Sequence, residues 1–373
     1  MFLRLKRKKK NDKKRFEVGI NIPALNNEYG HDLGFNQFSG RQFWDDSWHD
    51  FDFTRPDERS TEFSPWINWQ GDNLQKSLQK FAGKVDLLRL WVFEQHEGLK
   101  FTYNDSDSSN TVTGIDEEQF LPNIEKVLDK ARDYNMKVYL CLTDGWVVNN
   151  TYTPPRYEGE MLVKYRELQE TRRSIMKNIA ENPPNFIRNA LTPLINSIKD
   201  HPSLYAIDIM NEPEAMYDPS CFPVVSADSM KGFLIECSQA IKNYSNQQIP
   251  VSVGMMKFDS IMEYHISLPA STLDFYDYHM YSSDKGSVRK ALSNYERLSY
   301  GYKKLILGEL GYKDSIEPNS KDKDKEMELI KAIFEQAYSY GVSPCLLWDL
   351  DFYEPENREK LLLLLKEYRD NNR

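Results

Sequence analysis

Residues 204–213 read LYAIDIMNEP. The first seven are apolar but for Asp208, which suits a strand buried on both faces. The run then stops at Asn211-Glu212-Pro213, so a carboxylate stands at the carboxyl end of that strand. In a parallel sheet the carboxyl ends of all strands gather on one face, and side chains there point into a common mouth. The reading of this stretch therefore turns on what repeats around it.

Seven further runs share its texture: 17–22 (EVGINI), 86–93 (DLLRLWVF), 137–143 (KVYLCLT), 250–255 (PVSVGM), 273–279 (LDFYDYH), 304–309 (KLILGE) and 344–349 (PCLLWD). Helical patterns fall between them. Phe120, Ile124, Val127, Leu128 and Ala131 follow three-four spacing, with Asn135 placed to stop the helix. Met327, Ile330, Phe334, Ala337 and Tyr340 repeat the pattern, ended by Gly341, and a last helix spans 356–368. Strand-helix alternation predicts either a closed barrel or a doubly wound sheet. Eight strands, with chemistry at their ends, favour an α/β fold of the (β/α)8 TIM-barrel type. Two long inserts, 26–70 after strand one and 144–185 after strand three, would then extend from the C-terminal face. The first holds Phe43, Trp44, Trp48, Phe51, Phe53, Trp66 and Trp69. These could wall a binding cleft, their flat rings stacking on a ligand, or form a small core of their own.

The chain has 373 residues and a net charge of −9, unevenly spread. Residues 1–15 hold nine Lys/Arg against one Asp, which leaves the body near −17. The expected organisation is a basic, disordered tail over 1–15 and a single catalytic domain over 16–373. An acidic body repels phosphate, so no nucleic-acid partner is expected. The basic start lacks the apolar run of a secretion signal, and no stretch has the length of a membrane span. Cys141, Cys221, Cys237 and Cys345 show no metal-ligand spacing and read as buried free thiols, which points to a reducing, cytoplasmic setting. Asp105 to Asn110 lacks the glycine and bidentate glutamate of a calcium loop and reads as a polar hairpin tip between two short strands. No metal, nucleotide or other cofactor is implied.

A second carboxylate ends strand seven, in Leu307-Gly308-Glu309-Leu310-Gly311. Taken alone, Asn211-Glu212-Pro213 could be a helix start and Glu309 a salt-bridged structural residue. Together they place two carboxylates at one mouth, on strands that are not neighbours. Glycosidic cleavage asks for that pair: one carboxyl protonates the leaving oxygen while the other attacks or activates water. Strand two reads Leu88-Arg89-Leu90-Trp91, strand six ends His279-Met280-Tyr281, and strand eight holds Trp348.

With these residues in place, the sequence resembles glycoside hydrolase clan A, especially the family-five cellulases and mannanases. The likeness runs from GINIP (19–23) to LLWDL (346–350), with FEQHEGLKF (93–101) and IMNEPEA (209–215) inside it. It implies Glu212 as acid/base and Glu309 as nucleophile. It implies Asn211 as partner of the sugar 2-hydroxyl and Arg89 as the group that keeps the nucleophile ionised. His279 and Tyr281 match the pair beside the two carboxylates, and Trp348 the platform under the reacting sugar. Arg89, His279, Tyr281 and Trp348 each also have a plainer reading as core packing or a structural ion pair. One departure stands out. Where many family members carry a histidine at the end of strand three, this chain reads Thr143-Asp144-Gly145-Trp146, so Asp144 or Trp146 would take over that contact. The expectation is a monomeric, retaining hydrolase of a β-linked glucan or mannan, with an oligo- or polysaccharide as its partner. The alternatives are an inactive carbohydrate-binding barrel, or a lyase or aldolase using Lys257, just past strand five, as a Schiff-base amine.

Overall fold

A computed structural model describes residues 15–23, 25, 33–34, 36, 71–104, 109–151, 158–261, 273–282, 284–298, 303–312, 323–350, 353 and 355–371. Ten strands run in chain order: β1 Val18–Ile22, β2 Leu87–Trp91, β3 Leu99–Asn104, β4 Ser109–Ile115, β5 Lys137–Asp144, β6 Leu204–Asn211, β7 Val251–Met255, β8 Phe275–Ser282, β9 Lys304–Tyr312 and β10 Cys345–Leu347. Eight of them close a barrel in the order β1-β10-β9-β8-β7-β6-β5-β2, and every pairing is parallel. These are the eight runs read from the sequence, within a residue or two at most ends. The remaining two, β3 and β4, form an antiparallel hairpin between β2 and the next helix. The proposed hairpin tip, from Asp105 on, lies outside the described residues up to 108.

The helices end where local chemistry says they should. Phe120–Asp133 buries Phe120, Ile124, Val127, Leu128 and Ala131. Asn135 then adopts a φ of 55°, and Met136 N–H reaches back to the Ala131 carbonyl at 2.9 Å. Gly341, with a φ of 69°, does the same after Lys323–Tyr340, through Val342 N–H to the Ala337 carbonyl at 2.9 Å. A left-handed residue there lets the chain turn back and satisfies carbonyls the helix leaves bare. Of the aromatic insert, only residues 33, 34 and 36 beyond the strand's immediate exit are described; its seven named aromatics are not. Much of the second insert is helix, Gly159–Glu181. The basic tail is described at Arg15 alone, which pairs with Asp86. Three of the four cysteines are buried free thiols, but Cys221 is half-exposed because it sits in the loop beyond β6. Among the described residues, no helix is long and apolar enough to cross a membrane.

Period-two alternation sorts each barrel strand between two cores. One face packs under the helices. The other fills the barrel, where Leu87, Tyr139, Ala206, Phe275, Ile306 and Leu346 form an apolar floor. One storey above, the same alternation brings in Arg89, Cys141, Asp208 and Asp277, all fully buried. The mouth lies above that. At this level two strands break step. Between the pairs Asp208↔Ser252 and Asn211↔Gly254, β6 advances three residues against two of β7. Between Asp277↔Ile306 and His279↔Glu309, β9 advances three against two of β8. An extra residue of this kind reverses which side chains face inward.

Candidate active site

Both carboxylates stand just past these register shifts. Ile306 faces the barrel floor, so strict alternation would turn Glu309 outward; the extra residue turns it in. It is nearly buried and meets two strands at once. Arg89 Nη1 donates to its Oε1 at 2.6 Å, and the Tyr281 hydroxyl donates to Oε2 at 2.7 Å. Glu212 follows β6 with a φ of 43°, a left-handed backbone that a residue with a Cβ adopts at a cost. The turn is held by its own N–H on the Gly254 carbonyl at 2.8 Å and by Ala215 N–H on its carbonyl at 3.0 Å. Gly145 lies so close that a Cβ there would sit 2.3 Å from the Glu212 carbonyl oxygen. A strained backbone at a buried carboxylate fits a functional position rather than a packing one.

The Glu212 side chain is gripped at both oxygens. Oε1 lies 2.8 Å from His279 Nδ1, and Oε2 accepts the indole N–H of Trp146. His279 Nδ1 also lies 3.5 Å from Glu309 Oε2, so the imidazole stands between the two acids. One oxygen of each glutamate and a His279 nitrogen all lie within 4.8 Å of one another. That triad has donor atoms a cation could use, but the Arg89 guanidinium already pairs with Glu309 and repels one.

Arg89 organises the floor of this mouth. Nη2 donates to Asp208 Oδ2 at 2.6 Å and to Asn211 Oδ1 at 2.9 Å, and Nη1 also donates to Asn21 Oδ1 at 3.0 Å. The guanidinium lies over the Trp91 ring, 4.3 Å from its centroid. Asn211 is fixed from the other side, its Nδ2 donating to Asp144 Oδ1 at 2.9 Å, while Trp146 N–H caps the same oxygen at 3.1 Å. Asp144 thus braces Asn211 and the turn that carries Trp146. Trp348 is half-buried beside Trp91, ring centroids 5.7 Å apart.

Electrostatics separates the two glutamates. Burial pushes the carboxyl pKa of each upward. For Glu309, His279, Arg89 and the Tyr281 hydrogen bond pull against it. For Glu212 the opposing groups are the Trp146 hydrogen bond and Arg89. Glu309 has the direct guanidinium contact and Glu212 does not, so a single shared proton favours Glu212. Burial lowers the His279 pKa against the pull of Glu309, and its Nδ1 shares a hydrogen bond with Glu212. Burial also raises Asp144 to about 6 and Glu214, which accepts Lys257 N–H at 2.9 Å, to about 7.

Lys257 itself pairs with Asp218, a contact that raises the amine pKa. It is held as an ammonium, not the neutral amine that Schiff-base chemistry needs. All nine residues singled out from the sequence fall at this end of the barrel, and Glu212, Glu309, Arg89, Asn211, His279, Tyr281, Asp144 and Trp146 join one hydrogen-bonded network, with Trp348 beside Trp91. Sequence reasoning passed over Asn21, Trp91 and Asp208. The signal was present: each is a polar or aromatic residue at an inward position of a strand read correctly.

A family model described as Cellulase (glycosyl hydrolase family 5) matches residues 57–354. A mannan endo-1,4-beta-mannosidase of Mytilus edulis is 24% identical over 300 residues, covering 70% of this chain and 71% of that protein. Another, of Cryptopygus antarcticus, is 23% identical over 379 residues, covering 90% and 87%. Among solved structures, the beta-mannanase of the blue mussel Mytilus edulis superposes with a TM-score of 0.62 at 18% identity, covering 95% of this chain and 92% of that one. The beta-1,4-mannanase of the sea hare Aplysia kurodai gives 0.62 at 19%, covering 95% and 93%. At such identities the superpositions show a shared fold.

Proposed function

Because the chain belongs to the cellulase family, glycosyl hydrolase family 5, we propose that it cleaves internal β-1,4 bonds of a mannan-type glycan with retention of configuration. The observation that carries the reading is the pair Glu212 and Glu309, with oxygens within 4.8 Å across the mouth. Retaining enzymes place their carboxyls about 5 Å apart, leaving no room for a water between them, whereas inverting enzymes need more. Mannan rather than glucan is supported by the two curated relatives, both mannan endo-1,4-beta-mannosidases.

In the first step Glu212 donates its proton to the glycosidic oxygen as Glu309 attacks the anomeric carbon. The glycosidic bond breaks, and a glycosyl ester forms on Glu309. Glu212, now a carboxylate, takes a proton from water, which attacks the same carbon and restores Glu309. Arg89 and Tyr281 steady the Glu309 carboxylate before attack and after release. Asn211, braced by Arg89 and Asp144, presents its amide beside the reacting ring.

The test is the stereochemistry of the first product. Purified protein is incubated with β-1,4-mannan oligosaccharides and, in parallel, β-1,4-glucan oligosaccharides, and proton NMR follows the anomeric signals. The β-anomer is expected first, with mannan the better substrate. The α-anomer appearing first, or no cleavage of either glycan, would overturn the reading.

A further inference from the structure

Asp277 is fully buried in β8, two residues before His279, and the chemistry above leaves it without a task. Its carboxylate is held on two sides. Oδ1 accepts Gly308 N–H at 2.7 Å, and Oδ2 accepts the Tyr139 hydroxyl at 2.8 Å. The first bond lands on the residue immediately before Glu309, inside the register shift of β9. A Cβ on Gly308 would lie 2.1 Å from Asp277 Oδ1, so the carboxylate fills the space a side chain would take. The Gly308 carbonyl is tied as well, accepting from Asn21 Nδ2 at 2.9 Å. Asn21 in turn accepts from Arg89 Nη1, the nitrogen that reaches Glu309. Both backbone polar groups of Gly308 are therefore gripped by side chains that rise from the barrel interior.

This grip matters because of where β9 breaks step. Without the bulge, strict alternation from Ile306 would send the Glu309 carboxylate to the outer face. A bulge in a parallel ladder leaves backbone groups without strand partners, and a buried N–H without an acceptor is costly. Asp277 supplies that acceptor at the required place.

We propose that Asp277 is a positioning residue for the hydrolysis: by clamping the Gly308 backbone it holds the bulge of β9 and so the inward aim of Glu309. The inference rests on Glu309 being the nucleophile. It assigns the work to one bond, Asp277 to Gly308, and not to the Tyr139 contact on the other oxygen.

Three variants separate these bonds. Asp277→Ala removes the clamp, and kcat/KM is expected to fall about a hundredfold, as small misplacements of a reacting group do. Asp277→Asn keeps an acceptor for Gly308 and a donor for the Tyr139 oxygen, and is expected within about tenfold of wild type. Tyr139→Phe leaves the clamp intact and is expected near the wild-type rate. Should Asp277→Ala fail to fold, Gly308→Ala, whose methyl pushes the carboxylate away, takes its place with the same loss expected. A crystal structure of the Ala variant supplies a readout that needs no substrate: Glu309 should lose contact with Arg89 Nη1 or the Tyr281 hydroxyl. A folded Asp277→Ala with wild-type kcat/KM, an unmoved Glu309, or Tyr139→Phe or Asp277→Asn losing as much as Asp277→Ala would overturn the proposal. If instead wild type cleaves no glycan while the crystal structure shows Glu309 displaced, the hydrolase reading fails and the clamp stands.

Discussion

Two arginine–carboxylate networks sit at opposite ends of this barrel, and they are built on opposite terms. At the N-terminal end, Asp86 faces two guanidiniums: Arg369 Nε donates to it at 3.0 Å, Arg15 pairs with the same oxygen, and Val18 N–H reaches the other at 3.3 Å. One acid meets two bases and a backbone donor, and the contact ties the last helix to the first strands. At the mouth, a single guanidinium on Arg89 serves Asp208 and Glu309 directly, with Glu212, Asp277 and Asp144 close by. Acids outnumber bases there, and among the described residues Arg89 Nε and His279 Nε2 find no hydrogen-bond partner. The first network is arranged for cohesion. The second holds charge in a state that folding alone would not choose, as barrel mouths do when they carry catalysis.

The sharpest way to break this contrast is to remove a residue from each end. Glu309→Ala should lower kcat/KM by roughly 10⁴-fold or more, since loss of a nucleophile removes covalent catalysis outright; a steady-state assay on mannan oligosaccharides checks it. Retention of activity would move the chemistry elsewhere. Arg369→Ala should do the reverse, costing about 2 kcal/mol of stability by denaturant unfolding, the size of a buried charge-assisted hydrogen bond. Its kcat at 25 °C should stay at the wild-type value, because Asp86 lies at the far end of the strands.

A finer prediction concerns how the mouth keeps its proton. The Trp146 N–H bond to Glu212 favours the ionised acid. Trp146→Phe removes that donor, so the Glu212 pKa should rise and the alkaline limb of the pH–rate profile should move upward. An unshifted limb would mean that the indole acts through stacking alone. The smallest expected effect is on stability near Glu214. Its folded pKa of about 7 lies above the ordinary 4.5, so the folded state binds the proton more tightly than the unfolded chain. Its stabilisation is full below the unfolded pKa and is lost as pH rises through about 7. Glu214→Gln stays neutral throughout, so the Tm of the variant should gain on wild type between pH 5 and pH 8, by a few degrees at most. A constant difference across that range would show that Glu214 does not titrate there.

Much of this molecule could be read from residue order. The eight barrel strands are apolar runs because both faces of a parallel sheet are buried, and a one-dimensional pattern records that directly. Asn135 and Gly341 mark helix ends because their backbone freedom is a local property. Glu212 and Glu309 were legible as strand-end carboxylates, and Arg89, His279 and Tyr281 followed from the family resemblance. Asp277 was not legible, although it sits in a strand read correctly: its role depends on touching Gly308 and Tyr139, 31 and 138 residues away along the chain.

By itself, then, the chain order determined the alternation of buried strands and helices, and with it the face on which strand-end side chains collect, because burial and backbone preference act over a few residues. The inward turn of Glu309 was decided in three dimensions. Counted from Ile306 it should face away from the mouth, and it faces inward because β9 takes one residue more than its neighbours at Gly308. Register is a relation between strands, set by packing and by which buried donors find acceptors, and no single strand carries it.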